Sequence, residues 1–394
     1  MLDNLSPQCL PIYLDHAATT PLCQEALERM APFFSEQFEN PASHYLGGKR
    51  SNAAVGECRE ALADYLNCNP DEVYFTSGGT ESDNWAIQGA YRANSSKRNR
   101  ILVSAIEHHA VLDSALAMRK YGADVELIPV DGNGVIVLDR LRSMLDERTC
   151  LVSVMHVNNE VGTIQPVKEI SRMCSEYGAL FHMDAVQSFG KISVDLRDLN
   201  CSLLTVSSHK IYGPKGIGAL YIKHGVEIEP LHFGGEQESG KRGGTLNVPG
   251  IVGFHGALER LDTESDIDNT RNTQLSDLLV SQILQMCPDA LLSGGSSARI
   301  PNIVHFCFPN VHGETVLIEL DEKGICASAA SACSTKSTEP SHVLIAMGIA
   351  PELAMGAVRF SLGRTNTQEQ ILYSCEILSI ILKELQGLSR TIHM

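Results

Sequence analysis

The chain has a single tryptophan, few aromatic side chains and no long apolar run. No stretch approaches the roughly 18 consecutive apolar residues that span a bilayer, so we expect no membrane protein. The first residues lack a basic region followed by an apolar core, which predicts no secretory signal. Positive charge is also scarce, and the net charge is −16. Because phosphate contacts need a basic surface, this balance disfavours direct binding of nucleic acid.

The cysteines do not show the regular spacing of a disulfide-bonded protein. The twelve cysteines are scattered along the chain, and none forms a CxxC pair. That pattern predicts reduced thiols and a cytoplasmic protein rather than disulfides. The histidines and cysteines also lack tight metal-ligand spacing, so we predict no metal site.

The length of 394 residues predicts two domains. Between about residues 50 and 260, short buried strands alternate with helical segments, which indicates an α/β architecture with a mostly parallel sheet. We assign residues 21–261 to this large domain. Residues 1–20 and 262–394 are assigned to a smaller α+β domain that carries a loop at about 326–340. The polar stretch 262–272 reads as a boundary or as an exposed helix start.

The predicted elements follow from buried runs and helix-end signals. In the smaller domain we expect a strand over 302–308 and a terminal helix over 368–385. In the large domain we expect a helix over 166–177, opened by proline and closed by Gly178. The predicted strands are 73–75, 100–104, 125–130, 150–156, 179–183 and 203–206.

Lys210 stands at the end of a predicted strand, after Ser-Ser-His and before a Gly/Pro-rich turn. A lysine at the end of a buried strand needs either a partner that neutralises its charge or a chemical role. One such role is a covalent bond to an aldehyde cofactor. For a lysine alone, the simpler interpretation of a solvated side chain would prevail. The neighbouring segments favour a cofactor, because they supply the other parts of such a site.

A second segment predicts a phosphate pocket. Gly78, Gly79 and Thr80 lie between a strand and a helix, where backbone N–H groups and the helix dipole attract an anion. Thr80 could cap that helix and donate to a phosphate, although an ordinary turn would look the same. Ser207 and His209 are further donors, and they favour the phosphate.

Three polar residues could bind the polar atoms of a cofactor's pyridine ring. Asp184 ends a strand-like run, where a carboxylate needs a cationic partner such as a protonated pyridine nitrogen. Local backbone donors could satisfy it instead. Gln187, three residues on, could donate to a phenolic oxygen, and Asn159 could serve the same oxygen after another strand.

His108 follows the strand at 100–104. An imidazole is flat enough to stack on a pyridine ring, and it titrates near neutrality. A lone histidine is more often structural, but ligand sites gather at the carboxyl ends of strands in open α/β sheets.

Two further residues lie in the predicted small domain. Cys333 stands among hydroxyl and other small residues, which makes it a candidate nucleophile, with an incidental exposed thiol as the alternative. Arg359 lies on a predicted strand, and its guanidinium suits a substrate α-carboxylate. A structural ion pair is the alternative there, and Arg364 is the better example of one.

Together these segments resemble the cysteine desulfurases, pyridoxal-phosphate (PLP) enzymes of the aminotransferase class V group, of the NifS/IscS type. The matching runs extend from 13–21 to 359–364, in the family's order. The resemblance implies the PLP-dependent transferase fold type I, a homodimer, and removal of sulfur from L-cysteine through PLP. Cys333 takes the sulfur and passes it to an acceptor protein, for iron–sulfur cluster assembly, tRNA thiolation or DNA phosphorothioation.

The resemblance also implies residue roles. Lys210 binds PLP covalently, Asp184 pairs with the ring nitrogen, and His108 stacks on the ring and relays protons. Arg359 binds the substrate carboxylate. The other implied cofactor contacts are Gly79, Thr80, Ser207 and His209 on the phosphate side, Gln187 and Asn159 on the phenolic side, with Asn159 also near the substrate, and Thr245 reaching the partner subunit's phosphate.

The chain departs from the family pattern at two of these segments. Ala330 stands where the cysteine loop usually has glycine, and Gly243 replaces a common serine next to Thr245. Selenocysteine lyase, or another class V lyase or transaminase, is the alternative activity. An inactive assembly platform is the alternative of another class, although the lysine, aspartate and histidine set argues against it.

Overall fold

The computed structural model describes residues 11–329 and 339–392. Within them, the chain forms a seven-stranded sheet, a three-stranded sheet and a two-stranded pair. The strands, in chain order, are β1 (Ile12–Tyr13), β2 (Val73–Thr76), β3 (Arg100–Ser104), β4 (Asp124–Ile128), β5 (Thr149–Ser153), β6 (Leu180–Asp184), β7 (Leu203–Ser207), β8 (Gly218–Ile222), β9 (Leu291–Leu292), β10 (Ile303–Cys307), β11 (Ile325–Cys326) and β12 (Ala357–Ser361).

Helices cover the sheets and connect their strands. The α-helices, in chain order, are α1 (Gln24–Met30), α2 (Pro32–Ser35), α3 (Leu46–Leu66), α4 (Gly79–Asn94), α5 (His109–Ala117), α6 (Leu138–Met144), α7 (Val167–Tyr177), α8 (Leu196–Leu199), α9 (Val248–Met286), α10 (Gly313–Glu322), α11 (His342–Ala346), α12 (Pro351–Ala354) and α13 (Gln368–Ile392).

The seven-stranded sheet has the order β2-β8-β7-β6-β5-β3-β4. The strands from β7 to β4 pair in parallel, whereas β8 runs antiparallel to both β7 and β2. The predicted α/β architecture with a mostly parallel sheet is therefore confirmed. Six strands point the same way, so their carboxyl ends meet at one edge of the sheet.

The predicted strands of this sheet are all present, and their ends differ from the prediction by at most three residues. The predicted helix at 166–177 is α7, and Gly178 closes it in the left-handed conformation at φ 63°. That conformation suits glycine, which has no Cβ to clash. Strand β8 was not predicted, although its residues are all buried.

The polar stretch 262–272 is not a helix start. It lies in the middle of α9, which is 39 residues long and begins at Val248. The first part of α9, through Leu261, packs into the core beneath the large sheet, and its later part, from Leu275, packs into a second core. The polar residues thus mark a change of core along one continuous helix, because an exposed helical segment needs no apolar face.

The second core also takes up the start of the described chain. Ile12 and Leu14 pack there with β10, β12 and α13, and β1 pairs in parallel with β11. The predicted strand at 302–308 is β10, and the predicted terminal helix is α13. The domain limits at residues 20 and 261 stay a prediction.

Candidate active site

The carboxyl edge of the large sheet collects most of the predicted site residues. Thr80 follows β2, His108 follows β3, and Asn159 follows β5. Asp184 ends β6, and Lys210 follows β7 by three residues. Parallel strands bring residues that are far apart in sequence to one edge, where ligands of open α/β sheets bind.

Lys210 lies in a short 3₁₀ turn, Ser208–Lys210, directly after β7. Its Nζ donates to the backbone oxygens of Ala17 and Ala18, at 2.7 and 2.6 Å. These oxygens belong to a segment near the start of the chain, which crosses the carboxyl edge of the large sheet. The lysine is therefore held over the site by backbone acceptors.

Asp184 is buried at the end of β6, with 5% of its surface exposed. Its Oδ1 accepts a hydrogen bond from the backbone N–H of Val186 at 2.8 Å. Burial raises the pKa of Asp184 to about 6, although that hydrogen bond and the charge of Lys210 oppose the rise. The predicted backbone donor is thus present, but it leaves the carboxylate short of a cationic partner.

The predicted phosphate pocket is a cavity of about 300 Å³ at the amino end of α4. Gly78 precedes that helix with φ at 146°, a conformation that L-residues with a Cβ rarely adopt. A Cβ on Gly79 would lie 2.9 Å from Cγ2 of Val186, so the helix approaches the sheet at that glycine. The other lining residues are Thr19, Ser77, Thr80, Glu81, Ser207, His209, Lys215 and Gly216.

Hydrogen-bond donors line this cavity. The hydroxyl of Ser207 is buried and has no hydrogen-bond partner among the described residues. His209 contacts the hydroxyl of Thr19 through Nδ1 at 3.1 Å. Thr80 is exposed and lies second in α4, so the predicted helix cap is wrong: Gly78 holds that position, without a side-chain cap. Thr80 remains a lining residue.

His108 precedes α5 as its N-cap. The backbone N–H of Ala110 donates to Nδ1 at 3.1 Å, which leaves the ring proton on Nε2 in the neutral tautomer. Burial and the nearby Lys210 lower the pKa of His108 to about 4. The adjacent His109 turns away and contacts Asp113 and the ring of His342.

Gln187 and Arg359 face the segment that crosses the sheet edge. Gln187 donates through Nε2 to the oxygen of Ala17 at 2.9 Å. Arg359, on β12, donates to the backbone oxygen of Asn159 and to Oδ1 of Asp15, both at 2.8 Å. Its Nε is buried without a partner among the described residues. Arg359 therefore has both an ion-pair partner and an unused donor.

One predicted residue is not brought to this edge, a second lies outside the described residues, and the ion pair predicted for a third is wrong. Thr245 is exposed, outside the phosphate cavity, and Cys333 lies outside the described residues. A Cβ at Gly243 would lie 2.1 Å from the oxygen of Gly234, which explains the glycine there. Arg364, expected in an ion pair, forms none within the described ranges and lies over the Tyr212 ring at 4.4 Å.

Several residues that contact the site were not predicted from the sequence. Asp15 and Thr19 come from the run at 13–21, which was used for the resemblance but was given no role. Lys191 donates to Oε1 of Gln187 at 2.9 Å. Its position four residues after Gln187, in a glycine-containing turn, was the available signal.

Below Asp184 lie two more buried acids, Asp83 on α4 and Glu107 after β3. Burial raises the pKa of both well above the usual range, and the charge of Asp184 adds to the rise. His182 lies 3.7 Å from Asp83 and contacts Thr205 and Ser153. In the part of the chain that the structure describes, no cluster of His, Cys, Asp or Glu could hold a metal ion.

The family model described as "Aminotransferase class-V" matches residues 12–373. Cysteine desulfurase IscS of Dictyoglomus turgidum is 45% identical over 378 residues, which cover 96% of each chain. Cysteine desulfurase IscS of Methanosarcina thermophila is 44% identical and covers 98% of this chain and 96% of its own.

Solved structures agree with these matches. A structure titled "NIFS-LIKE PROTEIN" has a TM-score of 0.89 at 37% identity, covering 95% of this chain and 100% of its own. A structure titled "SspA in complex with cysteine" has a TM-score of 0.81 at 34% identity and covers 90% and 100%. The predicted fold class, the PLP-dependent transferase fold type I, is confirmed. No helix within residues 11–329 and 339–392 is long and apolar enough to cross a membrane.

Proposed function

The chain belongs to the aminotransferase class-V family, and we propose that it is a PLP-dependent cysteine desulfurase. It removes sulfur from L-cysteine and yields L-alanine and a persulfide on Cys333. The observation that carries this proposal is the meeting of Lys210, Asp184 and the Ser207–His209 donors at one sheet edge. The relatives named cysteine desulfurase and the neighbour solved with cysteine supply the substrate.

The residues present fit PLP. Asp184 is a buried acid that needs a cation, and the hydroxyl of Ser207 is a buried donor that needs an acceptor. A protonated pyridine ring that carries a phosphate supplies both. Lys210 would hold its aldehyde carbon, and His108 would lie against its ring. The remaining contacts would be Gly79, Thr80, Ser207 and His209 on the phosphate, Gln187 and Asn159 on the phenolic oxygen, and Thr245 on the partner subunit's phosphate.

When bound, PLP supplies an electron sink for the bonds at the substrate α-carbon. Arg359 would bind the substrate carboxylate through Nε, which has no partner among the described residues, and through Nη2, which donates to Asp15 in this structure. Asn159 would lie beside this carboxylate, because its backbone oxygen accepts a hydrogen bond from Arg359. Lys210 takes the α-proton at Nζ, and the neutral His108 keeps a proton on Nε2 for transfer.

Sulfur transfer falls to Cys333. Its thiolate attacks the substrate sulfur, so an S–S bond forms and the C–S bond breaks, with the electron pair left on carbon. That carbon takes up a proton and becomes the methyl group of alanine. One thiol and one cysteine thus give one persulfide and one alanine, and no external oxidant or reductant is needed.

The described residues before and after the predicted Cys333 loop lie next to the proposed carboxylate site. Ser328 forms paired backbone hydrogen bonds with Arg359, at 2.8 and 3.1 Å. Ser341 donates to the buried Glu160 at 2.5 Å. The chain therefore leaves from one side of the carboxylate site at Ser328 and returns near Asn159 at Ser341, which supports the assignment of Cys333.

The purified protein tests this proposal directly. We expect a visible absorption band that changes when L-cysteine is added, with alanine and sulfide released in parallel. C333S should keep the band and lose cysteine-dependent sulfide release, whereas C68S, at a half-buried thiol after α3, should keep both.

The outcomes separate the alternatives. Full turnover in C333S would overturn the assignment of Cys333. A band without alanine would point to another substrate, and selenocysteine and alanine tested in parallel would show which. A colourless protein that cannot be reconstituted with PLP would favour an assembly platform.

The proposal includes a homodimer. Large apolar side chains are exposed at Phe38 and Phe233, by 70% and 80%. A cleft of about 480 Å³ joins residues 40–42 to residues 236–239 and Leu246, beside the exposed Thr245. We assign this face to a second copy of the chain, with sedimentation as the test.

The free cysteines of the described chain support a cytoplasmic location. From Cys333 the sulfur passes to an acceptor protein, for iron–sulfur cluster assembly, tRNA thiolation or DNA phosphorothioation. All three acceptors would use the same persulfide. Incubating the persulfide form with a purified scaffold protein would distinguish the first from the other two.

A further inference from the structure

Lys191 is a lysine next to the site that the mechanism does not use. It lies in the turn after β6, four residues beyond Gln187, and is half-buried. Its Nζ donates to Oε1 of Gln187 at 2.9 Å. The contact is therefore a charge-assisted hydrogen bond from a lysine to a neutral amide.

When Lys191 is protonated, this contact decides which way the amide of Gln187 is turned. An ammonium group has only donors, so the atom that faces it must be the amide oxygen. The amide nitrogen then points the other way, and it donates to the oxygen of Ala17. The same oxygen accepts from Nζ of Lys210 at 2.7 Å. The amide N–H₂ group and the Lys210 ammonium thus share one acceptor.

A small, partly open chamber lies behind Lys210. Lys191 and Lys210 both line it, together with His16, Asn272 and Asn302. Each of the last three has a buried nitrogen or oxygen without a partner among the described residues. The volume of about 30 Å³ has room for about two waters. A polar chamber of this kind can solvate the remaining N–H groups of Lys191.

The charges around Lys191 are mostly positive. Burial lowers the pKa of Lys191 to about 7, and the charges of Lys210 and Arg359 add to the effect. Burial and the charges of Lys191 and Arg364 lower the pKa of His16 to about 4. The ionisable groups that face Lys191 across the chamber and the site are Lys210, Arg359, His209, Arg364, His16 and Asp268.

We propose that Lys191 is a positioning residue: it holds the amide N–H₂ of Gln187 toward the cofactor, and its charge acts on the bond that the cofactor makes with Lys210. The inference rests on the proposed function, which assigns Gln187 to the phenolic oxygen. Without Lys191 the amide could turn over and present its oxygen to that phenolate, which would be repulsive.

The test is a pH titration of the visible absorption band of the PLP-loaded protein. In K191M both effects favour the protonated form of the chromophore, because a nearby positive charge and a donor to the phenolate are lost. We expect the midpoint to rise by about one pH unit. K191R keeps a charge and a donor, so its midpoint should stay within about 0.3 units of wild type.

Two controls separate the effect that passes through the Gln187 amide from general effects of removing a lysine. K168M removes a lysine from the exposed surface of α7 and should leave the midpoint unchanged. In a Q187L background, adding K191M should shift the midpoint by less than it does in the wild-type chain, because part of the effect passes through the amide.

An unchanged midpoint in K191M would overturn the proposal. An equally large shift in the Q187L background would leave a charge effect only and would overturn the positioning role. A K191M protein that unfolds at the wild-type temperature but releases PLP supports the proposal. If its unfolding temperature falls, K191Q takes its place with the same expected sign. A wild-type protein without a visible band would instead contradict the proposed function.

Discussion

On the β6 side of the site, Asp184 is 5% exposed and lies above the buried acids Asp83 and Glu107. On the β7 side, Ser207 and His209 face an open cavity at the amino end of α4. The first side is buried and acidic, and the second is open and rich in hydrogen-bond donors. A ligand with a cationic ring at one end and a phosphate at the other therefore suits the pair.

The two sides also differ in what a substitution should disturb. A buried carboxylate is coupled to its neighbours, so changes on the β6 side should alter chemistry and pH dependence. The β7 side lacks only contacts to an anion, so changes there should alter affinity. The following predictions test this difference.

D184N should have the largest effect. The amide keeps the shape of Asp184 but cannot stabilise a protonated ring nitrogen, so cysteine turnover should fall by about 10³-fold. PLP should still bind, as its visible absorbance would show, because the phosphate contacts are intact. Alanine formation per bound PLP is the measurement, and a loss of less than tenfold would contradict the role of Asp184.

D83N tests the layer beneath Asp184. Burial, with the charge of Asp184, raises the pKa of Asp83. An acid whose pKa is raised by folding binds more protons when folded, so its contribution to stability is present below the unfolded pKa near 4 and is lost as pH rises above it. The stability of D83N relative to wild type should therefore increase from about pH 4 upward, by up to about 1.4 kcal/mol per pH unit.

Urea unfolding of both proteins at several pH values measures this difference. D64N, on the exposed face of α3, serves as the control and should give a flat difference. A flat difference for D83N as well would show that Asp83 is ionised in the folded protein.

S207A should have the smallest effect, confined to affinity. It removes one hydrogen bond to a charged phosphate, so the dissociation constant of PLP should rise by about tenfold. The cofactor-free protein should be no less stable, because the hydroxyl of Ser207 has no partner among the described residues.

The matched control is S208A. Its hydroxyl is also buried without a partner among the described residues, but it does not line the phosphate cavity. PLP affinity should therefore be unchanged in S208A, and fluorescence titration of both variants measures it. Equal losses in the two variants would mean that Ser207 acts through local packing.

Much of the site could be predicted because its residues follow strands. Asp184 ends one buried strand and Lys210 follows another by three residues, and parallel strands must bring such positions to one edge. The helix cap was wrong at Thr80, because a glycine with a positive φ supplied the turn instead. The boundary at 262–272 failed as a helix start, since polarity marks exposure rather than a break in a helix.

The alternation of strands and helices follows from the sequence pattern alone, and so does the edge of the sheet at which Asp184, Ser207 and Lys210 meet. The tertiary structure alone decided that Asp15, Ala17 and Thr19 lie across that edge, and that Lys191 turns the amide of Gln187. Local patterns follow from periodicity and turn chemistry. Contacts such as Asp15 with Arg359 join residues 344 positions apart, and only the packing of both cores brings them together.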